Sequence, residues 1–141
     1  MVGPAYADGE MTTVQVDSGQ WEKTRVVVLC LDERYSTNLA HWLRSVGIDA
    51  EIAESGRHAK AILGAGGKCV LVTDRVLPPW PGLPRLASLK RLSEHLRVVA
   101  IDKGDADSRY VALAAGADAV VSPPLQRDEM MRALQVAQGA R

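Results

Sequence analysis

Short apolar runs and amphipathic helical stretches alternate five times along this chain, and that alternation limits the fold more than any other feature. The runs lie at Val26 to Leu31, Ile52 to Ala53, Val70 to Val72, Val98 to Ile101 and Ala119 to Val121, each followed by a helical pattern. Runs of this kind suit strands covered on both faces, and the helices supply the cover. Leu39, Trp42, Leu43 and Val46 recur at i, i+3, i+4 and i+7, as do Met130, Ala133, Leu134 and Ala137, so each set commits one helix face to a core. Gly47 is placed to end the first of these helices. Ala59, Ile62 and Leu63 mark a second helix, Leu86, Leu89 and Leu92 a third, and Val111, Ala114 and Ala115 a fourth. Strand and helix repeating in this order imply a parallel sheet with right-handed crossovers, that is, a flavodoxin-like three-layer α/β sandwich. Gly64, Gly66 and Gly67 follow a helix instead of a strand, so they read as a turn and not as a phosphate loop.

Composition narrows the function classes. Seventeen basic and seventeen acidic residues cancel, leaving no global field to draw in nucleic acid or an anionic membrane. Residues 1–22 mix Gly, Ser, Thr, Asp and Glu with little periodicity and read as a flexible leader, with Val14, Val16 and Trp21 as anchors if it docks. Residues 23–141 read as one domain. The start lacks a basic segment followed by an apolar stretch, and no run approaches the roughly 20 apolar residues of a membrane span. A cytoplasmic protein is expected. Cys30 and Cys69 both lie in apolar runs, without a Cys-x-x-Cys pair or histidines at metal spacing, so they read as buried reduced thiols.

Residues 69–82 carry the functional signal. A buried strand ends there on Asp74, and the prolines Pro78, Pro79 and Pro81 forbid its continuation. Asp74 therefore sits at the carboxyl edge of the sheet, where open α/β folds place their ligand sites. Asp74, then Leu77 and Pro78, then Gly82, closely resembles the phosphoacceptor segment of the receiver domains of bacterial two-component response regulators. Gly116-Ala117-Asp118 before the last strand and Pro124 after it resemble the same family. The resemblance spans about residues 24–138 and implies a CheY-like sheet in order 2-1-3-4-5 with five helices. It also implies a cis peptide before Pro124.

The family's chemistry survives only in part. Receiver domains accept a phosphoryl group on the aspartate with a magnesium ion held by that residue and by two acids at the end of the first strand. Counting back from Gly47, those two positions fall on Cys30 and Leu31, neither of which is a hard oxygen donor. Sliding Asp32 and Glu33 into place would bury Thr37, Ala40, His41, Arg44 and Ser45, at a cost of several kcal/mol on the basis of roughly 1 to 3 kcal/mol per polar group. Asp32 remains a weak metal candidate beside Asp74. The family's hydroxyl residue on the fourth strand is replaced by Asp102, its lysine on the fifth by Pro123, and its aromatic switch residue by Val120. Lys103 is near enough in sequence to fold back over the pocket. Two carboxylates and a phosphoryl group without a cation repel one another.

Three readings follow. The first is a degenerate receiver: a protein-interaction module of a two-component or phosphorelay system, not an enzyme and without a cofactor. The second is an atypical but phosphorylatable receiver in which Asp74 accepts phosphate with help from Asp32, Lys103 and magnesium. The third is a small ligand-binding protein or an enzyme with Cys30 as nucleophile, against which His41, His58 and His95 all read as solvated helix residues. The resemblance places a partner face on the fourth helix, fifth strand and fifth helix, at Arg109, Tyr110, Val120, Leu125, Met130 and Met131. A histidine kinase, a phosphotransferase, another signalling protein or a second copy of the chain would dock there. Adjacent methionines are adaptable contact residues, although one of the two suits the core. Trp80, flanked by Pro79 and Pro81, either forms an exposed contact tip or folds down over the pocket mouth.

Overall fold

Val26, Val27, Val28 and Leu29 are each at most 1% exposed, as a run without a polar side requires when both of its faces are covered. They form the centre of β1 (Thr24–Leu29). The chain continues through α1 (Glu33–Ser45), β2 (Asp49–Ile52), α2 (Gly56–Gly64), β3 (Lys68–Thr73) and α3 (Leu86–Leu92). It ends with β4 (Leu96–Ile101), α4 (Ala106–Ala114), β5 (Ala119–Val121) and α5 (Arg127–Gly139). The structure is a computed structural model and describes residues 24–65, 67–75, 80–92, 95–102 and 105–139. Expectations resting on residues 1–22, Gly66, Leu77, Pro78, Pro79 and Lys103 lie outside the described residues.

All five strands are parallel and their order is β2-β1-β3-β4-β5, the order 2-1-3-4-5 implied by the resemblance. Alternation along the strands divides the core in two. Val26, Val28, Val70 and Val72 face α1 and α5, packing on Leu39, Leu43, Met130 and Leu134. Val27, Leu29 and Leu71 face the other way, onto Ala59, Ile62, Leu63, Leu86 and Leu89. A one-residue slip of β1 would exchange its two sets of side chains, so the cores fix its register.

Helix α1 has a defined signal at each end. Asp32 caps it, its carboxylate accepting the backbone N–H groups of Arg34 and Tyr35. At the other end Gly47 takes φ of +89°. There the N–H of Ile48 reaches the carbonyl of Leu43 and that of Gly47 the carbonyl of Arg44, the pairing of a Schellman turn. Leu39 and Leu43 are buried, Trp42 and Val46 half-buried, and Thr37, His41, Arg44 and Ser45 exposed. The helix therefore sits in the register that assigns Cys30 and Leu31 to the end of the first strand. Ser36 and Ala40 are also buried.

Some element readings need correction. β1 stops at Leu29, and Cys30 and Leu31 lead into the α1 cap. β2 runs Asp49–Ile52 instead of being centred on Ile52 and Ala53, because an edge strand with one open side tolerates the polar residues Asp49 and Glu51. α4 buries Ala112, while Val111 is 46% exposed and Ala114 is exposed. His95 lies in the turn before β4 and not in a helix.

Gly116-Ala117-Asp118 has a structural role. Gly116 takes φ of +121° with Leu86 packed against its Cα, where a side chain would be strained. The carboxylate of Asp118 accepts the Lys90 ammonium at 2.7 Å and the Val98 N–H at 2.8 Å, tying α3 and the start of β4 to the entry of β5. Asp118→Ala leaves both donors without their acceptor and should lower the unfolding free energy by about 1–3 kcal/mol. A fall in the urea midpoint at constant m-value would register the loss, and an unchanged midpoint would show that these bonds contribute nothing.

Candidate functional site

Strand register brings the candidate residues to one edge. Leu29 pairs with Thr73 and Thr73 with Ala100, so Cys30 and Asp74 stand level at the carboxyl ends of β1 and β3, with Asp102 one position further along the neighbouring β4. From β1 the chain crosses outward to β2 and returns on the far side as β3, which makes the crevice between β1 and β3 the point where the winding reverses. Doubly wound sheets bind their ligands at that point.

Asp74 is exposed there, and its Oδ2 accepts the backbone N–H of Leu31 at 2.8 Å. Leu31 thus meets the Asp74 carboxylate through its main chain, while its side chain is 81% exposed. Asp32 is committed to the α1 cap, with Oδ1 at 2.9 Å from the Arg34 nitrogen. The Cys30 thiol is buried and its pKa is pushed up to about 12. Burial is the largest cause and the negative charge of Asp74 the second, outweighing opposing hydrogen bonds from Ser36 and the Asp74 backbone. Burial, reinforced by Cys30 and Asp74, also raises the Tyr35 phenol to about 12. The Tyr35 hydroxyl is buried without a hydrogen-bond partner among the described residues.

These donors do not suit magnesium. The ion requires hard oxygen ligands in octahedral array, whereas the mouth offers one carboxylate already bonded to an amide, a protonated thiol, an alkyl side chain and a capping aspartate. Among the described residues no group of three His, Cys, Asp or Glu side chains is arranged to hold a metal ion.

A second cluster closes the other flank of Asp74. Thr73 is buried, and its hydroxyl accepts the Trp80 indole N–H at 3.0 Å and the Arg75 N–H at 3.3 Å. The Arg75 guanidinium lies over the Trp80 ring, 5.7 Å from its centre. Trp80 packs on the core beside α3. Of the two arrangements considered for it, the folded one is present, since an indole N–H next to a strand end finds a fixed acceptor there. Two residues on, Gly82 has φ of +84° and lies against the Arg57 backbone, so a side chain there would be strained and would push the loop off α2.

The remaining candidates divide. Asp102 is half-buried and its N–H bonds the Val121 carbonyl at 2.8 Å, which keeps β4 and β5 paired to their ends. Pro123 is exposed beyond β5, and the Pro123-Pro124 bond is cis, as the resemblance implies. On the partner face, Arg109 and Tyr110 are exposed and Leu125 is half-buried. Val120, Met130 and Met131 are buried at 5%, 1% and 2% exposure, which removes all three from a contact surface: the methionines fill space between α5 and the sheet. Sequence reasoning missed the Leu31 N–H, the Tyr35 phenol and the Thr73 hydroxyl. The i+3 spacing of Tyr35 from the Asp32 cap marks its place in the first turn, but nothing in a sequence signals a backbone donor.

The strand order and the helices on both faces define the CheY-like fold of response regulator receiver domains, with Asp74 at the β1–β3 crevice. No family model matches the chain. Response regulator MprA of Mycolicibacterium vanbaalenii is 29% identical over 114 residues, which are 78% of this chain and 49% of that protein. The chain thus spans about half the length of the curated relative it matches. Among solved structures, a response regulator receiver protein from Burkholderia phymatum is 28% identical with a TM-score of 0.62, covering 84% of this chain and 98% of that one. The receiver domain of Saccharomyces cerevisiae Ssk1, solved with the histidine phosphotransfer protein Ypd1, shares the fold at 16% identity and a TM-score of 0.64, covering 78% of this chain and 85% of that chain. No helix among the described residues is long and apolar enough to cross a membrane.

A pKa near 12 leaves roughly one part in ten thousand of Cys30 as thiolate at about pH 8, so alkylation of the native protein there should be on the order of a thousandfold slower than for an ordinary thiol. Peptide mapping after iodoacetamide treatment reads Cys30 separately from Cys69, and an ordinary rate at Cys30 would contradict the burial argument. Folding raises this pKa from 9.0, so the stabilisation from the protonated thiol is complete below about pH 9 and is lost as pH rises toward about 12. Cys30→Ala should flatten that part of the stability profile.

Proposed function

We propose that this chain is a receiver-type signalling module that acts through protein contacts and does not use magnesium-dependent phosphoryl transfer at Asp74. The observation that carries this reading is the pair Cys30 and Leu31. A buried protonated thiol and a side chain turned to solvent stand where the metal needs two carboxylates. A phosphoryl group adds about two negative charges, and Asp102 at the neighbouring strand end would add to the repulsion. The kinship in fold with receiver domains, including one solved with a histidine phosphotransfer protein, supports a place in two-component signalling in the cytoplasm. A kinase, a phosphotransfer protein or a second copy of the chain then engages the module. Exposed Tyr110, Val111 and Leu113 on α4, with Arg109 beside them, support that helix as the contact element.

The second reading, phosphorylation of Asp74, is favoured by one observation, the exposure of that carboxylate. An enzyme using Cys30 as nucleophile is disfavoured by the raised thiol pKa.

Magnesium titration followed by calorimetry separates these readings. The native protein should show no saturable sub-millimolar site, and the double variant Cys30→Asp, Leu31→Asp should gain one, because it restores two hard donors beside Asp74. Tight magnesium binding by the native protein would overturn the proposal. Asp102→Thr should raise the denaturation midpoint at neutral pH if the two carboxylates repel, and an unchanged midpoint would show that Asp74 and Asp102 do not interact.

A further inference from the structure

The face of the sheet opposite α2, α3 and α4 carries a cleft of about 360 Å³ between α1 and the start of α5, within the size range of small-molecule sites. Leu39, Trp42, Leu125 and Met130 form its apolar floor. At the rim, Asn38 and Gln126 present exposed amides. Arg127 is exposed beside them and has no ion-pair partner among the described residues. Asp128 and Glu129 follow it in sequence but do not line the cleft, and the Asp128 carboxylate is engaged by the Glu129 N–H. Tyr35 completes the wall, with its hydroxyl buried and unpartnered among the described residues.

We infer that this cleft binds a small amphipathic molecule made of an apolar ring system and one carboxylate. The ring covers the half-buried Trp42 and the apolar floor, and the carboxylate pairs with Arg127. An apolar cleft with a few polar groups set around it fixes both affinity and orientation, and a guanidinium without an ion-pair partner among the described residues complements a carboxylate geometrically. Cys30 and Asp74 act electrostatically on the same phenol, so Tyr35 is the wall shared by the cleft and the mouth of the sheet. The site stands whether or not Asp74 accepts phosphate.

Equilibrium dialysis of the full chain against 2-naphthoate, with 2-naphthamide as the uncharged control, tests the inference. Saturable binding of the naphthoate at one site, tighter than that of the amide, is expected. Asn38→Trp, at an exposed helix position, should fill the cleft and abolish binding of both probes. Arg127→Gln should weaken the naphthoate about fivefold and leave the amide unchanged, with circular dichroism confirming that both variants are folded. Absence of saturable binding, binding indifferent to Asn38→Trp, or equal affinity for both probes in the native protein would overturn it. Capture of an amphipathic helical peptide that 2-naphthoate fails to displace would overturn it as well, by making the cleft a helix groove.

Discussion

Parallel pairing of β1 with β3 is the constraint on which the rest of this molecule depends. It runs from Thr24 with Lys68 to Leu29 with Thr73, and every residue at the centre of both strands is buried on both faces. Such a pair has no solvent side on which to slip, so its register is set by two cores at once. The last rung delivers Cys30 and Asp74 to the same level. The hydrogen bond from the Leu31 N–H to Asp74, joining residues 43 apart in sequence, closes the crevice just beyond the sheet.

The scaffold of a receiver domain is thus kept, while on the proposed reading the chemistry around Asp74 is changed. The exposed aspartate at the strand end, the positive-φ glycine before the last strand and the cis Pro123-Pro124 bond are all present. At the positions that the resemblance assigns to the phosphoryl-binding groups of receiver domains, the sequence carries Cys30, Leu31, Asp102 and Pro123. Fold and charge balance obey separate constraints, because backbone pairing is indifferent to which side chain follows a strand end, whereas a divalent cation is not. The flank of Asp74 is held by another set of bonds, in which Trp80 and Arg75 converge on the buried Thr73 hydroxyl.

What the sequence made legible follows the same division. Repeating strand and helix patterns gave the parallel three-layer sandwich and the spacing back from Gly47 placed Cys30 and Leu31, because both rest on periodicities that burial enforces, whereas the strand order came from the resemblance to receiver domains. Trp80 left two arrangements open, since a proline-flanked indole fits a contact tip as well as a lid, and only the position of Thr73 decides between them. Met130 and Met131 read as contact residues because methionine suits both surface and core, and α5 turns both onto the sheet. On α4 the residues Val111, Ala114 and Ala115 marked the helix, yet Ala112 takes the buried side. A nine-residue helix resting on one alanine has too short a pattern to fix its own rotation. The Leu31 amide was invisible for a simpler reason: every residue but proline carries one.

The central claim is that Asp74 keeps its place in the fold without the means to hold a phosphoryl group. Intact-mass measurement after incubation with a small-molecule phosphodonor and magnesium tests it most directly, with Asp74→Asn run in parallel. The account predicts that each protein keeps its own unmodified mass. A phosphoryl-sized increment on the native chain that disappears in Asp74→Asn would contradict it.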